Sequence, residues 1–124
     1  MVTEINKKIF KIESVSGCWY EFEMYSFGGS LEELAEYFSG TPGVYVITRR
    51  SDVEAEENGR EHKLIYAGSA PDLGQHMRNH PMVAEIEAEQ PNCFCLYPEP
   101  SEQIRYDAEA DIIGNNDFVC SIYK

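Results

Sequence analysis

The feature that most constrains this chain is a pair of apolar stretches, GVYVITRR at residues 43–50 and KLIYAGSA at 63–70. Both are dense in β-branched and aromatic residues, so each reads as a strand. The segment between them, 51–61, is polar, carries Glu54, Glu56, Glu57 and Asn58-Gly59, and reads as a hairpin loop. Two strands joined this directly pair antiparallel.

The flanking sequence adds elements of both kinds. KIFKIES at 8–14 and CWYEFEMYS at 18–26 read as two further strands, with Ser16-Gly17 as the turn. Ser30-Leu31-Glu32-Glu33 has the form of a capping box, and Leu31, Leu34, Ala35 and Phe38 share one helical face. Gly40 and Pro42 end that helix. After the strand at 63–70, Pro71 opens a helix that runs to about Asn79. A second short helix at 82–89 follows from Val83, Ile86 and Ala88, and CFCLY at 93–97 is another strand. Ser101 caps a helix that runs to Ile113 and stops at Gly114, and DFVCSIY reads as a short last strand. The order is β-β-α followed by β-β-α-α-β-α, which implies an α+β fold with a small, mostly antiparallel sheet flanked by helices. With no linker and no repeat, the 124 residues read as a single domain. Residues 43–124 form its core, and 1–42 an N-terminal hairpin and helix extension.

Composition bounds the partners. Hydrophobic residues make up 43% and aromatics 12%, enough for a folded core. No run approaches the length of a membrane span, and MVTEINKKIF lacks the apolar stretch of a signal peptide, so a cytoplasmic protein is expected. Ten Lys and Arg stand against 22 Asp and Glu, a net charge of -12. Affinity for nucleic acid comes mainly from cations that displace counterions, so this balance opposes general DNA binding and suits a protein partner better. The cysteines are Cys18, Cys93, Cys95 and Cys120. Free thiols are expected. Cys93 and Cys95 share one face of a strand, so a four-thiolate zinc site with Cys18 and Cys120 is conceivable, although known zinc signatures are spaced more widely.

Pro42-Gly43-Val44-Tyr45-Val46-Ile47, then Ile65-Tyr66-Ala67-Gly68-Ser69-Ala70 and Asp72-Leu73, resemble the two signature strands of the GIY-YIG nuclease family, with GVY for GIY and YAG for YIG. Ala108-Glu109-Ala110-Asp111-Ile112-Ile113 is similar to the family's late helix, which carries a glutamate before an apolar pair. The resemblance covers about residues 42–121. It implies metal-dependent hydrolysis of a DNA phosphodiester. Glu109 would hold Mg²⁺ or Mn²⁺, Tyr45 and Tyr66 would handle the attacking water and the phosphate, and a cation in the following helix would stabilise charge on the phosphate oxygens.

That cation is where the sequence departs from the pattern. His76 occupies the position of the family's arginine, and His80 matches a histidine that many members have, on the same helical face. Arg78 points roughly 200° away from His76 on a helix and cannot take its place. Histidine is charged only part of the time near neutral pH and lacks the guanidinium fork. The asparagine that often follows the family's last helix is also missing, with Cys120-Ser121 in its place. Residues 43–124 hold seven basic and fifteen acidic residues, five of the acidic ones in the 51–61 loop.

Plainer roles compete with these. Tyr45 and Tyr66 suit cross-strand packing. Glu109 could pair with Arg105 one turn earlier, and His76 and His80 could be exposed helix residues. Two readings follow. One is a nuclease-type enzyme with His76 in place of arginine and activity weakened or lost. The other is a non-catalytic acidic module of the same fold that binds a protein partner. A small-molecule phosphoesterase is a minor third. A basic patch formed by Arg49, Arg50, Lys63, Arg78 and Arg105 around the tyrosines would favour the first, an acidic rim the second.

Overall fold

A computed structural model describes residues 2–13, 17–55 and 59–120. Five strands form one antiparallel sheet: β1 (Thr3–Glu13), β2 (Trp19–Ser26), β3 (Gly43–Ala55), β4 (Gly59–Ala70) and β5 (Cys93–Pro98). Their order across the sheet is β1-β2-β5-β3-β4. The four helices are α1 (Leu31–Tyr37), α2 (Leu73–Arg78), α3 (Val83–Ala88) and α4 (Glu102–Asn115). The α+β class expected from the sequence is the class observed. The N-terminal hairpin continues the same sheet, because β2 pairs with β5 from Glu23↔Leu96 to Ser26↔Cys93. Among the described residues, no helix is long and apolar enough to cross a membrane.

The sheet separates two apolar clusters. On one face Tyr45, Ile47, Phe94 and Leu96 meet Leu31, Leu34 and Ala35 of α1, Phe38 at its end, Leu73 and Met77 of α2, and Ile86 of α3. On the other, Val44, Val46, Ala67, Cys93 and Cys95 meet Ala108 and Ile112 of α4. The unbroken apolar run of β3 is thereby explained: Val44, Tyr45, Val46 and Ile47 are all fully buried, on alternate faces of a strand covered on both. A bulge opposite Ile47 and Thr48, which pair with Tyr66 and Leu64, turns both Ile65 and Tyr66 toward the α1–α3 side.

Caps fix the helices where side chains are available to close them. Ser30 and Glu33 form the expected capping box on α1, and Gly40 follows that helix in the left-handed region, at φ 77°. The Asp72 carboxylate accepts from the amides of Gln75 and Gly40, at 3.2 and 2.9 Å. Asp72 is therefore the N-cap of α2 and also ties its start to the end of α1. Pro71 consequently lies outside the helix it was expected to open. Ser101 caps α4 as expected, accepting from the Ile104 amide. Gly114 lies inside α4 rather than ending it; the Asn116 side chain closes the helix by donating to the Ile112 carbonyl at 2.9 Å.

Two further expectations need correction. The polar segment 51–61 is not mainly loop, since β3 runs to Ala55 and β4 begins at Gly59. Backbone pairing of Glu54 with Arg60 and of Ala55 with Gly59 holds these arms, and their polar composition carries no apolar alternation to mark a strand. The Asn58 turn position and Ser16 lie outside the described residues. Of the last stretch, residues 118–120 form no strand. Val119 and Cys120 donate to the carbonyls of Leu64 and Ile65, and the remaining residues are not described.

Gly74 lets α2 approach α1 closely. A Cβ there would sit 2.6 Å from the Ala35 carbonyl oxygen and 2.6 Å from Ser39 Cα, both backbone atoms that cannot rotate away. Gly74→Ala is expected to force α1 and α2 apart, costing about 3 kcal/mol and lowering the melting temperature by roughly 10 °C. Gln75→Ala, an exposed neighbour, should leave it within about 2 °C. Equal melting temperatures for the two variants would contradict the close approach.

Candidate active site

Tyr45 stands on β3 opposite Gly68 of β4, and Tyr66 opposite Ile47, so both tyrosines lie on the same face as diagonal cross-strand neighbours. Their rings stack at 6.1 Å. Gly68 makes room for the arrangement: a Cβ there would lie 2.7 Å from the Tyr45 hydroxyl. That hydroxyl is fully buried and hydrogen-bonds to His76 Nε2 and to His80 Nε2, each at 2.9 Å.

His76 comes from the last turn of α2 and is half-buried. His80 lies past the end of α2 rather than on it, because the helix stops at Arg78 with Asn79 as its cap. It nonetheless reaches the same hydroxyl, with its ring 5.0 Å from that of His76 and 4.8 Å from that of Tyr66. His80 is only 4% exposed, so the alternative of an exposed helix residue is ruled out for it.

The partners determine where the protons lie. The Met82 amide donates to His80 Nδ1 at 3.0 Å, so that nitrogen carries a lone pair. Burial, reinforced by His76, pulls the His80 pKa down to about 4, so the ring is neutral near pH 7 and its one proton is on Nε2. His80 therefore donates to the Tyr45 oxygen. Tyr45 in turn donates to His76 Nε2, which leaves the proton of neutral His76 on Nδ1. Burial also lowers the His76 pKa, favouring this neutral form. Among the described residues Nδ1 of His76 has no hydrogen-bond partner. The result is a directed chain, Met82 amide to His80 to Tyr45 to His76. Tyr45 itself holds its proton firmly: burial first, then Tyr66 and Glu109, push its pKa well above that of an ordinary phenol.

Glu109 reaches this place from α4. Its carboxyl lies near the Ser69 amide of β4, next to Gly68, and close enough to Tyr45 to raise the pKa of that phenol. Burial raises the pKa of Glu109, and the Ser69 amide partly opposes the shift. The expected alternative, a pair with Arg105, does not form. The Arg105 guanidinium is buried and donates instead to the carbonyls of Glu99 and Pro100, at 3.1 and 2.7 Å. A half-buried carboxylate without a cation is a reasonable hard-oxygen ligand. The described residues place no group of three metal-ligating side chains around it. A cation held there would keep most of its water.

Tyr45, Tyr66, His76, His80 and Glu109 are thus brought together around Gly68 and Ser69. The basic patch is not. Lys63 pairs with Glu89 at 2.6 Å, Arg49 donates to the Gln90 carbonyl, Arg105 is committed as described, and Arg50 lies on the α4 side of the sheet. The fifth cation, Arg78, is exposed on α2, two residues from His76. The anchor that sequence reasoning missed is the Met82 amide, which no side-chain pattern reveals because it is backbone.

The histidine chain gives the fold a pH dependence. The folded-state pKa of His80 lies below its ordinary 6.5, so the unfolded chain binds the extra proton between these values. Its contribution is complete above about pH 6.5 and is lost as the pH falls toward 4. On the order of 2 kcal/mol is at stake. The melting temperature of wild type should therefore fall more between pH 7 and 5 than that of His80→Gln. Parallel curves would contradict the neutral assignment.

Comparison with protein-family models, with curated proteins and with solved structures finds no match for this chain.

Proposed function

We propose that the chain is a GIY-YIG-like, metal-dependent phosphodiesterase acting on nucleic acid, attenuated by histidine in the arginine position. The observation that carries this reading is the convergence of Tyr45, Tyr66, His76, His80 and Glu109, from four separate elements and the segment after α2, around Gly68 and Ser69.

In this reading His76 is the group that meets substrate, because it is half-buried and, among the described residues, its Nδ1–H has no hydrogen-bond partner. It offers a phosphate oxygen a hydrogen bond but little positive charge, since the ring is neutral near pH 7. Tyr45 and His80 are positioning residues: the sealed phenol fixes the His76 ring and its tautomer, and His80 with the Met82 amide fixes the phenol. Tyr66, beside the pair, is assigned to hold the phosphate and order the attacking water. Glu109 would hold Mg²⁺ or Mn²⁺, which when bound supplies charge to stabilise the leaving oxygen.

A second reading, a non-catalytic acidic module that binds a protein partner, is favoured by two observations. The Tyr45 hydroxyl has no access to solvent, and four of the five candidate cations are engaged or placed elsewhere. Supercoiled plasmid and single-stranded oligonucleotides distinguish the two. Wild-type protein should cleave at least one of them slowly with Mn²⁺ or Mg²⁺ and not in the presence of a chelator. No cleavage of either by folded protein would contradict the first reading.

A further inference from the structure

On the opposite face of the sheet, under α4, lies a cluster that the phosphodiesterase reading does not use. Cys93 and Cys95 alternate on β5 and present both sulfurs to one side, 4.0 Å apart. His62 on β4 brings a ring nitrogen to the same place, and the three ligand atoms lie within 4.8 Å of one another. The four-cysteine site that seemed conceivable from the sequence does not assemble. Cys120 belongs to the other face, where its thiol contacts the Glu85 carbonyl, and Cys18 is exposed.

We propose that His62, Cys93 and Cys95 form a three-ligand site for a soft, thiophilic cation, Cu⁺ or Zn²⁺.

Geometry and chemistry both fit. With metal–sulfur bonds of about 2.3 Å, two thiolates in a trigonal or tetrahedral site stand roughly 3.8–4.0 Å apart. The observed separation matches this and is far longer than a disulfide. Thiolate and imidazole donors select Cu⁺ and Zn²⁺ over hard cations. The Thr48 hydroxyl, fully buried and 2.7 Å from His62 Nδ1, holds the ring in place, as outer-shell oxygens hold metal-bound histidines. Arg50 lies near both sulfurs, and among the described residues its buried Nε has no hydrogen-bond partner. A fixed positive charge there offsets the negative charge of a dithiolate. With Cu⁺ the two thiolates and Arg50 sum to zero, whereas with Zn²⁺ one positive charge remains, so charge balance favours Cu⁺.

The test uses the full, reduced chain. Protein is loaded in separate arms with Zn²⁺ or, under anaerobic reduction, with Cu⁺, then desalted, and retained metal and melting temperature are measured. Wild type should retain one ion per chain in at least one arm and melt higher. Cys93→Ser, Cys95→Ser and the half-buried His62→Gln should each weaken binding by ~10- to 100-fold or more. Glu109→Ala should bind as wild type does, which separates this site from the candidate active site. Retention in the Cu⁺ arm or in the Zn²⁺ arm supports the proposal and identifies the ion. Should a cysteine variant fail to fold, His62→Gln carries the comparison. Retention of neither ion by wild type, or equal retention by folded His62→Gln, would overturn it.

Discussion

Replacing His76 with arginine is expected to speed metal-dependent cleavage of supercoiled plasmid about 100- to 1000-fold over wild type, the range associated with one transition-state donor. Burial lowers the His76 pKa, so near pH 7 this position supplies a single uncharged N–H. Arginine restores a permanent charge and two parallel donors that match a phosphate. The position tolerates the change because it lies at the half-buried end of α2 rather than inside either cluster. The substitution removes the acceptor for the Tyr45 proton, while His80 still donates to the phenol oxygen. A loss of about 1–2 kcal/mol in stability should therefore accompany the gain in rate, visible as a lower melting temperature. An unchanged or slower rate in a folded His76→Arg protein would mean that the missing charge is not what limits this site.

Glu109→Ala should have an effect of similar size and opposite sign. Glu109 is the carboxyl group close enough to Tyr45 to raise its pKa, and it is the residue assigned to hold the metal. Its loss is expected to reduce cleavage to background, a drop of at least about 100-fold. A second readout needs no turnover. Mg²⁺ or Mn²⁺ should raise the melting temperature of wild type and leave that of Glu109→Ala unchanged, because only a ligand to the native state shifts unfolding. Removing Glu109 should cost the fold little, since among the described residues no ion pair or hydrogen bond holds its half-buried carboxyl. Equal metal-dependent shifts in both proteins would refute the assignment.

What the sequence disclosed follows how local each signal is. The strands around Tyr45 and Tyr66, the capping box at Ser30 and the cap at Ser101 are set by neighbours within a few residues, and they appear where expected. The hairpin arms at 51–55 and 59–61 were read as loop, because a polar strand carries no periodic apolar signal. The start of α2 was misplaced at Pro71 because the Asp72 cap also bonds Gly40, a contact 32 residues away. The site was legible as five residues but not as a network. That His80 becomes the buried anchor of Tyr45 depends on the backbone amide of Met82 and on the stop of α2 at Arg78. The His62–Cys93–Cys95 cluster was half visible. Alternation placed the two cysteines on one face, but His62 joins them only through the pairing of β4 with β3 and of β3 with β5.

The most direct test of the proposed activity is a time course of plasmid nicking with Mn²⁺ for wild type, His76→Arg and Glu109→Ala, run side by side on proteins shown to be folded by their melting curves. The account predicts His76→Arg fastest, wild type slow but above background, and Glu109→Ala at background. Identical rates for all three, with or without chelator, would contradict it and leave the acidic binding module as the reading to pursue.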